Sequence, residues 1–343
     1  MLELLNITGN RIANIDADAF HPLQKLKILN LESNFLISIS TETIMELSSL
    51  NYLILGSNRI FNYSYGALRP LHKLQILKLP YNQLTVIGNE FLKSASSLTE
   101  IDLENNNIEK IMPIELNNLT NARIISLANN KIKILREITF FNLSNLEKID
   151  LENNRIGQIE DNAFSNLSNL LTLKLSLNKI KSLGQPFSAV SNLKQLYLDL
   201  NFLSNPTDGS MYTFQNLTKL EILYLANNHI SYIEFGTFQN LEKLVHLSTE
   251  QNQLVIINGN QFRGLRNVHQ LNFAGNPIRS IALNGSNGYS QLRSLNLRGT
   301  FLHSMDKLSL NNLPKLEIID LYRNKIKVVR WSSGFVDANL VTM

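Results

Sequence analysis

A repeat of fixed length constrains this chain more than anything else in it. Aligned on the asparagine of an LxxLxLxxN pattern, successive copies place that residue at Asn10, Asn34, Asn58, Asn82, Asn106, Asn130, Asn154, Asn178, Asn201, Asn228, Asn252 and Asn276. Thr300 and then Asn324 complete fourteen copies. The first eight are 24 residues apart, two intervals of 23 and 27 follow, and 24 then resumes. One copy has no two faces with which to close a core, so each must bury its apolar side against its neighbours. Length alone suggests about two domains. The repeat overrides that and predicts a single domain of about 14 repeats over residues 1–343.

The copy from Leu146 to Asn169 shows the unit. Leu146, Ile149, Leu151, Ile156 and Ile159 fall at inward positions. The alternation around Ile149 and Leu151 has period two, which predicts a short strand with Lys148, Asp150 and Glu152 facing out. Phe164 and Leu167, three apart, predict a helical or 3₁₀ return. The fold class expected is therefore an α/β solenoid, a horseshoe with a parallel sheet on its concave face and short turns on its convex face. The asparagine sits where the chain leaves the sheet, and its amide both donates and accepts there. Thr300 has no amide, so a looser bend is expected at that copy, and Thr249 stands where an inward aliphatic belongs. Phe20, Phe140, Phe164, Phe238 and Phe262 recur ten residues after the asparagine, with Phe187 and Phe214 displaced by the irregular intervals. They predict an aromatic spine. Between Asn201 and Asn228 the extra residues include Pro206, which predicts a bulging loop. Between Asn276 and Thr300 an NGSNGY stretch replaces the phenylalanine turn and predicts weakened packing.

These units resemble the typical subfamily of leucine-rich repeats, LxxLxLxxNxLxxIxxxxFxxLxx at 24 residues, from Leu2 to about Arg330. The phenylalanine and the period are those of animal extracellular members such as Toll-like receptors, chaoptin, connectin and Slit. The resemblance implies ligand capture or adhesion by an ectodomain. Extracellular members usually carry cysteine-rich caps, and this chain has no cysteine. It also starts and stops inside the pattern, as a piece of a longer protein would.

Composition narrows the function. The absence of cysteine excludes disulfides, thiolate metal sites and a cysteine nucleophile. A net charge of +4 with 17% charged residues is that of neither a disordered chain nor a strongly basic nucleic-acid binder. No apolar run approaches the ~18 residues a membrane helix needs, and the N-terminal residues lack a signal-peptide pattern. There is no phosphate-cradling glycine loop and no HExxH motif. Of six scattered histidines, only His246 and His269 fall on neighbouring copies, more readily as two polar side chains than as a metal pair. No enzyme activity, cofactor or metal is expected, and no nucleic-acid partner.

The outward positions six, four and two residues before the bend carry nine acids, Glu32, Glu100, Asp102, Glu104, Asp150, Glu152, Asp199, Glu250 and Asp320. Four bases, Lys78, Lys148, Lys174 and Arg298, leave this wall at −5 and the rest of the chain at +9. Glu100, Asp102, Glu104, Asp150 and Glu152, together with Tyr197, Asp199 and Tyr224, are the first candidate partner-binding set. Ile28, Tyr52, Ile54, Ile76 and Tyr81, beside Pro80, are the second, because aromatic and apolar clusters with a charged border resemble interface cores. Charge on a strand face equally serves solubility. Arg11, Arg59, Lys131, Lys133, Arg155, Lys179, Lys181, Lys325 and Lys327, just past the bend, predict a positive rim.

Seven glycosylation sequons occur, at Asn6, Asn62, Asn118, Asn142, Asn166, Asn216 and Asn284. Asn118, Asn142 and Asn166 share one return-turn position in consecutive copies, away from the wall, whereas Asn6 faces it. Asn62, Asn118, Asn142, Asn166, Asn216 and Asn284 are thus the candidate glycan carriers. The reading is a protein-binding domain of a secreted or cell-surface receptor or adhesion protein, with a protein ligand or a second copy of the chain as partner. An intracellular scaffold, or a regulator that sets its acidic wall against a basic enzyme, is the alternative.

Overall fold

The computed structural model describes residues 2–88, 90–112, 115–137, 139–204, 213–284 and 288–329. Pro206 and its loop, residues 285–287 of the glycine-rich turn, and the segment from 330 onward lie outside them. The chain forms two compact units, Met1–Leu170 and Leu171–Met343.

In the first unit each copy contributes one three-residue strand: β1 (Leu4–Asn6), β2 (Ile28–Asn30), β3 (Tyr52–Ile54), β4 (Ile76–Lys78), β5 (Glu100–Asp102), β6 (Ile124–Ser126) and β7 (Lys148–Asp150). Neighbours pair in parallel, residue for residue, so that Leu29, Leu53, Leu77, Ile101, Ile125 and Ile149 form one inward row. All six are buried. In the second unit β8 (Thr172–Lys174), β9 (Gln195–Tyr197), β10 (Ile222–Tyr224), β11 (His246–Ser248), β12 (Gln270–Asn272), β13 (Ser294–Asn296) and β14 (Ile318–Asp320) repeat the arrangement. The irregular intervals leave the register intact, since Thr172 faces Gln195 and Gln195 faces Ile222. A slip of one residue would turn every buried leucine outward, so the length change is absorbed outside the strands.

Leu146, Ile149, Leu151, Ile156, Ile159, Phe164 and Leu167 are all buried, as the pattern requires. The phenylalanine spine exists as well. Phe140 stacks on Phe164 at 6.1 Å in the first unit, and Phe187, Phe214, Phe238 and Phe262 follow one another at 5.7–6.4 Å in the second. Where the NGSNGY stretch was expected to weaken packing, Tyr289 is fully buried and its hydroxyl donates to the Gly259 carbonyl. A tyrosine thirteen residues past Asn276 fills the core there because its ring is as large as the phenylalanine it replaces.

The return segments are short turns, few of them regular helices. Among the described residues only Thr41–Ile44 is α-helical, with 3₁₀ turns at His21–Leu23, Gly259–Phe262 and Met305–Lys307. Elsewhere the chain closes single turns, such as Leu146 N–H to the Leu143 carbonyl and Leu170 N–H to that of Leu167. Asn142, Asn162 and Asn166 take positive φ of 66°, 58° and 62°, and a left-handed residue ends a helix after one turn. A second strand ladder past the bend was not foreseen. Ser38–Ile39 pairs with Asn62–Tyr63, Val86–Ile87 with Lys110–Ile111, and Ile134–Leu135 with Gln158–Ile159. In the second unit Ile256–Asn258, Ser280–Asn284 and Leu308–Asn311 form a three-stranded counterpart.

The asparagine does more than finish a bend. The Asn130 amide nitrogen donates to the carbonyls of Leu127 and Ala128 in its own copy and of Leu103 in the copy before, at 3.0–3.1 Å. Its oxygen accepts the Ile108 amide, 22 residues back, at 2.9 Å. Asn34, Asn58, Asn82, Asn106 and Asn154 repeat this pattern. Each therefore ties two copies together. Thr300 lacks the backward half: its hydroxyl contacts the Leu297 carbonyl and Asn324 Oδ1, and the Ile278 amide turns instead to the Asn276 carbonyl at 2.8 Å. Thr249 is fully buried, its hydroxyl meeting the Asn272 carbonyl at 3.3 Å.

Candidate functional site

The strand register decides which outward residues meet. In the first unit Ile28, Tyr52, Ile76, Glu100, Ile124 and Lys148 make one row, and Asn30, Ile54, Lys78, Asp102, Ser126 and Asp150 the next. In the second unit Tyr197, Tyr224, Ser248 and Asn272 share a row.

The acidic set is less free than its sequence suggests. Asp102 Oδ1 accepts the Glu104 amide at 3.0 Å and Asp150 Oδ1 the Glu152 amide at 3.2 Å. Asn30, Asn272, Asn296 and Asp320 hold the amide two residues on in the same way. The side chain four residues before the bend thus closes an Asx turn, which mimics a backbone turn. Asp102 and Asp150 are bend-formers as well as wall charges. Burial raises the Asp102 carboxyl above its usual range; the Glu104 amide and Lys78 pull it down, while Glu100 and Asp150 add to the rise. Lys78 lies 3.3 Å from Glu100 and Lys148 4.0 Å from Asp150. Glu104 accepts the side-chain amides of Asn105 and Asn129 at 2.9 and 3.0 Å. Glu100, Asp102 and Glu104 thus lie on one copy and Asp150 and Glu152 on the next but one, in a face laced with lysines and amides rather than a bare acidic wall.

Tyr197, Asp199 and Tyr224 do come together. The two rings stand 5.4 Å apart, tilted by 54°. Asp199 Oδ1 accepts the Ala226 amide of the next copy at 2.8 Å, and the Ser176 hydroxyl reaches its other oxygen at 3.5 Å. Burial pushes the Asp199 carboxyl up to about 6; the Ala226 amide, its own amide and Ser176 oppose this, and Glu250 adds to it. Burial, then Tyr224, likewise raises the Tyr197 hydroxyl. A cleft of about 420 Å³ opens beside them, lined by Asp199, Tyr224, Ala226, Asn227, His246, Leu247, Ser248, Glu250, Gln270 and Asn272. Most of these were not singled out from sequence, although His246, Ser248, Glu250, Gln270 and Asn272 occupy the same outward positions as the chosen residues.

In the apolar set Ile28, Tyr52 and Ile76 adjoin in one row, with Ile54 beside them on β3, all half-buried. Tyr81 does not join that row. It is the residue before the bend asparagine, with φ 55° and 60% exposure, past the end of β4. That position is left-handed in nearly every copy, held by Gly9, Asn105, Asn129, Asn153, Asn227, Gly275 and Gly299 among others. It is a position of backbone geometry and lies off the sheet.

The expected positive rim is partly occupied. Arg59 lies over the Phe35 ring at 4.4 Å, Lys325 over Phe301 at 4.3 Å, and Lys133 pairs with Glu109 at 3.3 Å. A polar groove of about 590 Å³ was also missed. It runs along the strand entries of the first unit past Asn51, Gln75, Thr99, Asn121, Arg123, Asn145, Glu147 and Asn169. Asn121, Asn145 and Asn169 there donate to carbonyls of the copy before at 2.8–2.9 Å. Its signal was a second column of recurring asparagines.

Of the sequon asparagines, Asn62, Asn118, Asn142, Asn166 and Asn216 are exposed and Asn284 is half-buried. The Asn118 and Asn216 amides donate to the carbonyls of Lys93 and Ser188, and Asn284 Oδ1 accepts from Asn312. His246 and His269 do not pair: His246 faces Gln270 across the strands, one residue out of step with His269. No group of three metal-ligating side chains occurs among the described residues.

The leucine-rich repeat family model matches residues 1–60, 72–132, 96–156, 144–203, 204–254, 218–278 and 290–337. The chain belongs to the leucine-rich repeat family. No curated protein matches it. Among solved structures, a leucine-rich repeat protein of Leptospira interrogans is 26% identical with a TM-score of 0.78, over 94% of this chain and 78% of that one. The Toll–Spatzle complex of Drosophila gives a TM-score of 0.83 at 23% identity, over 95% of this chain and 44% of that one. A TLR13–ssRNA13 complex gives 0.70 at 24%, over 97% and 52%. The likenesses below 25% identity bear on the fold alone. The leucine-rich repeat solenoid is typically a binding scaffold, and no described helix of this chain is long and apolar enough to cross a membrane.

Proposed function

We propose that this chain is the protein-recognition region of a secreted or cell-surface receptor or adhesion protein, that it takes its partner on the outward strand face, and that it is not an enzyme. The observation that carries this is the register. It sets charged, amide and aromatic side chains of successive copies edge to edge on rigid strands, where two tyrosines and a half-buried carboxylate meet. Interface cores have this make-up, aromatic with a polar border. Structures of the same fold include Toll in a complex with Spatzle and TLR13 in a complex with ssRNA13. For this chain a protein partner fits better than a nucleic acid, because the Glu100–Glu152 face carries carboxylates where phosphates would have to sit.

The test is a binding screen of the secreted, refolded chain against a panel of extracellular protein domains. It is run with the native sequence and with a variant carrying Asp102→Asn, Glu104→Gln, Asp150→Asn and Glu152→Gln. Asparagine keeps the Asx-turn acceptor, so the variant removes charge without removing the bend. A partner that binds the native face and loses at least tenfold in the variant supports the reading. If every partner found binds both forms equally, the acidic part of the face is only a solvated surface.

A further inference from the structure

The cleft beside β10 and β11 holds a hydroxyl that the fold does not use. Ser248 is 8% exposed, lines the cleft, and its hydroxyl has no hydrogen-bond partner among the described residues. Leaving a buried hydroxyl unpaired is unfavourable, so its persistence there needs a reason. Two carboxylates line the same cleft. Asp199 spends one oxygen on the Ala226 amide and meets the Ser176 hydroxyl only at 3.5 Å with the other. Glu250 accepts the Asn272 amide through Oε2 at 2.6 Å. Tyr224, tilted against Tyr197, supplies an aromatic wall.

We propose that the cleft bounded by Asp199, Tyr224, Ser248 and Glu250 is an anchor pocket for one arginine side chain of a protein partner. A guanidinium is planar and carries five donors in a fixed fork, which suits two carboxylates and a hydroxyl set around one space. It also stacks on an aromatic face, where its weaker hydration makes desolvation less costly than for an ammonium. The Ser248 hydroxyl has free acceptor capacity, and a guanidinium N–H is the group that would fill it. Burial already holds the Asp199 carboxyl at about 6, with Glu250 adding to the rise. A cation placed between the two would offset both causes. The volume of about 420 Å³ is ample for a guanidinium with its methylene stem.

This inference rests on the strand face being a protein-recognition surface, and a small probe separates the two. The measurement is NMR titration of the whole chain with N-acetyl-arginine-N-methylamide at pH 7.5, against the citrulline and lysine analogues. The expected result is millimolar binding of the arginine probe, with shifts confined to the cleft, and at least tenfold weaker binding of the uncharged citrulline and of the lysine probe. Asp199→Asn and Glu250→Gln each weaken the arginine probe about tenfold, while their remaining oxygens still hold Ala226 N–H and the Asn272 amide. Ser248→Ala weakens it severalfold and leaves the unfolding midpoint unchanged or raised. The proposal is overturned if the arginine probe shifts no cleft residue, if citrulline or lysine binds as well, or if Ser248→Ala lowers the midpoint without touching the affinity. Binding of a protein partner with no arginine-probe binding would leave the recognition surface standing and remove this pocket from it.

Discussion

Replacing Asn130 by alanine should show how the stack is held. Three carbonyls lose a donor, but each keeps another partner. Leu103 retains the Asn106 amide, Leu127 retains that of Asn154, and Ala128 retains the Asn105 N–H. The Ile108 amide is different, because Asn130 Oδ1 is its acceptor and Ile108 is fully buried. Leaving that donor unpaired costs ~1–3 kcal/mol, and the lost bonds to carbonyls that keep a partner add about 1 kcal/mol net. Asn130→Ala should therefore destabilise by about 2–4 kcal/mol in urea unfolding followed by circular dichroism. The same change at exposed Asn10, whose amide reaches only the Ile7 and Thr8 carbonyls of its own copy, should cost less than about 1 kcal/mol. Asn130→Asp sharpens the test. The carboxylate keeps the Ile108 bond but faces three carbonyls, so its pKa in the fold must rise above that of the unfolded chain. Stability is then lost as pH rises through the interval between the two values, and the aspartate variant is more stable at pH 4 than at pH 7 relative to native. Equal losses at Asn10 and Asn130, or an aspartate variant insensitive to pH, would refute the cross-copy ladder.

Other expectations follow from the same geometry. Thr300→Asn should restore the missing acceptor for the Ile278 amide and raise stability by about 1 kcal/mol, read as a shift of the urea midpoint. Asp102→Ala should cost about 1 kcal/mol through the lost turn bond, while Asp102→Asn keeps that bond, removes a charge that burial disfavours and does not lower the midpoint. Asp199, held at about 6 against an ordinary 3.8, binds its proton more tightly folded than unfolded. Native stability should thus fall as pH rises through that window, and Asp199→Asn should flatten the slope; a slope unchanged in the variant would contradict it. Tyr289→Ala should destabilise by about 3–5 kcal/mol and Tyr289→Phe by about 1, as measured by thermal unfolding.

The inward half of the fold was legible because burial leaves little choice. Leu146, Ile149, Leu151, Phe164 and Leu167 repeat with a period that only a stack can satisfy. The outward half was read less well. Asp102 and Asp150 looked like charges awaiting a partner, but an aspartate four residues before a bend accepts an amide there, as Asn30 and Asn272 do. That equivalence was visible in the alternation of aspartate and asparagine at one column. Tyr81 looked like part of an apolar patch, but the recurring glycine and asparagine before the bend marked a left-handed position that carries its side chain off the sheet. The short strands past the bend escaped notice because two residues show no alternation. Tyr289 was overlooked because its spacing from Asn276 departs from the period that marked the other rings. Cross-copy ion pairs such as Arg123–Glu147 at 2.6 Å and Lys27–Glu3 at 2.9 Å could have been found as opposite charges 24 residues apart, and each contributes little at the surface.

The most direct test of the account is where a bound protein sits. Amide hydrogen exchange of the chain, alone and saturated with the tightest partner from the extracellular panel, reports it copy by copy. Slowed exchange is expected centred on the outward strands, β5 to β7 in the first unit or β9 to β12 in the second, with the Asn118, Asn142 and Asn166 turns unaffected. Protection confined to those turns, with the strand residues unchanged, would contradict it.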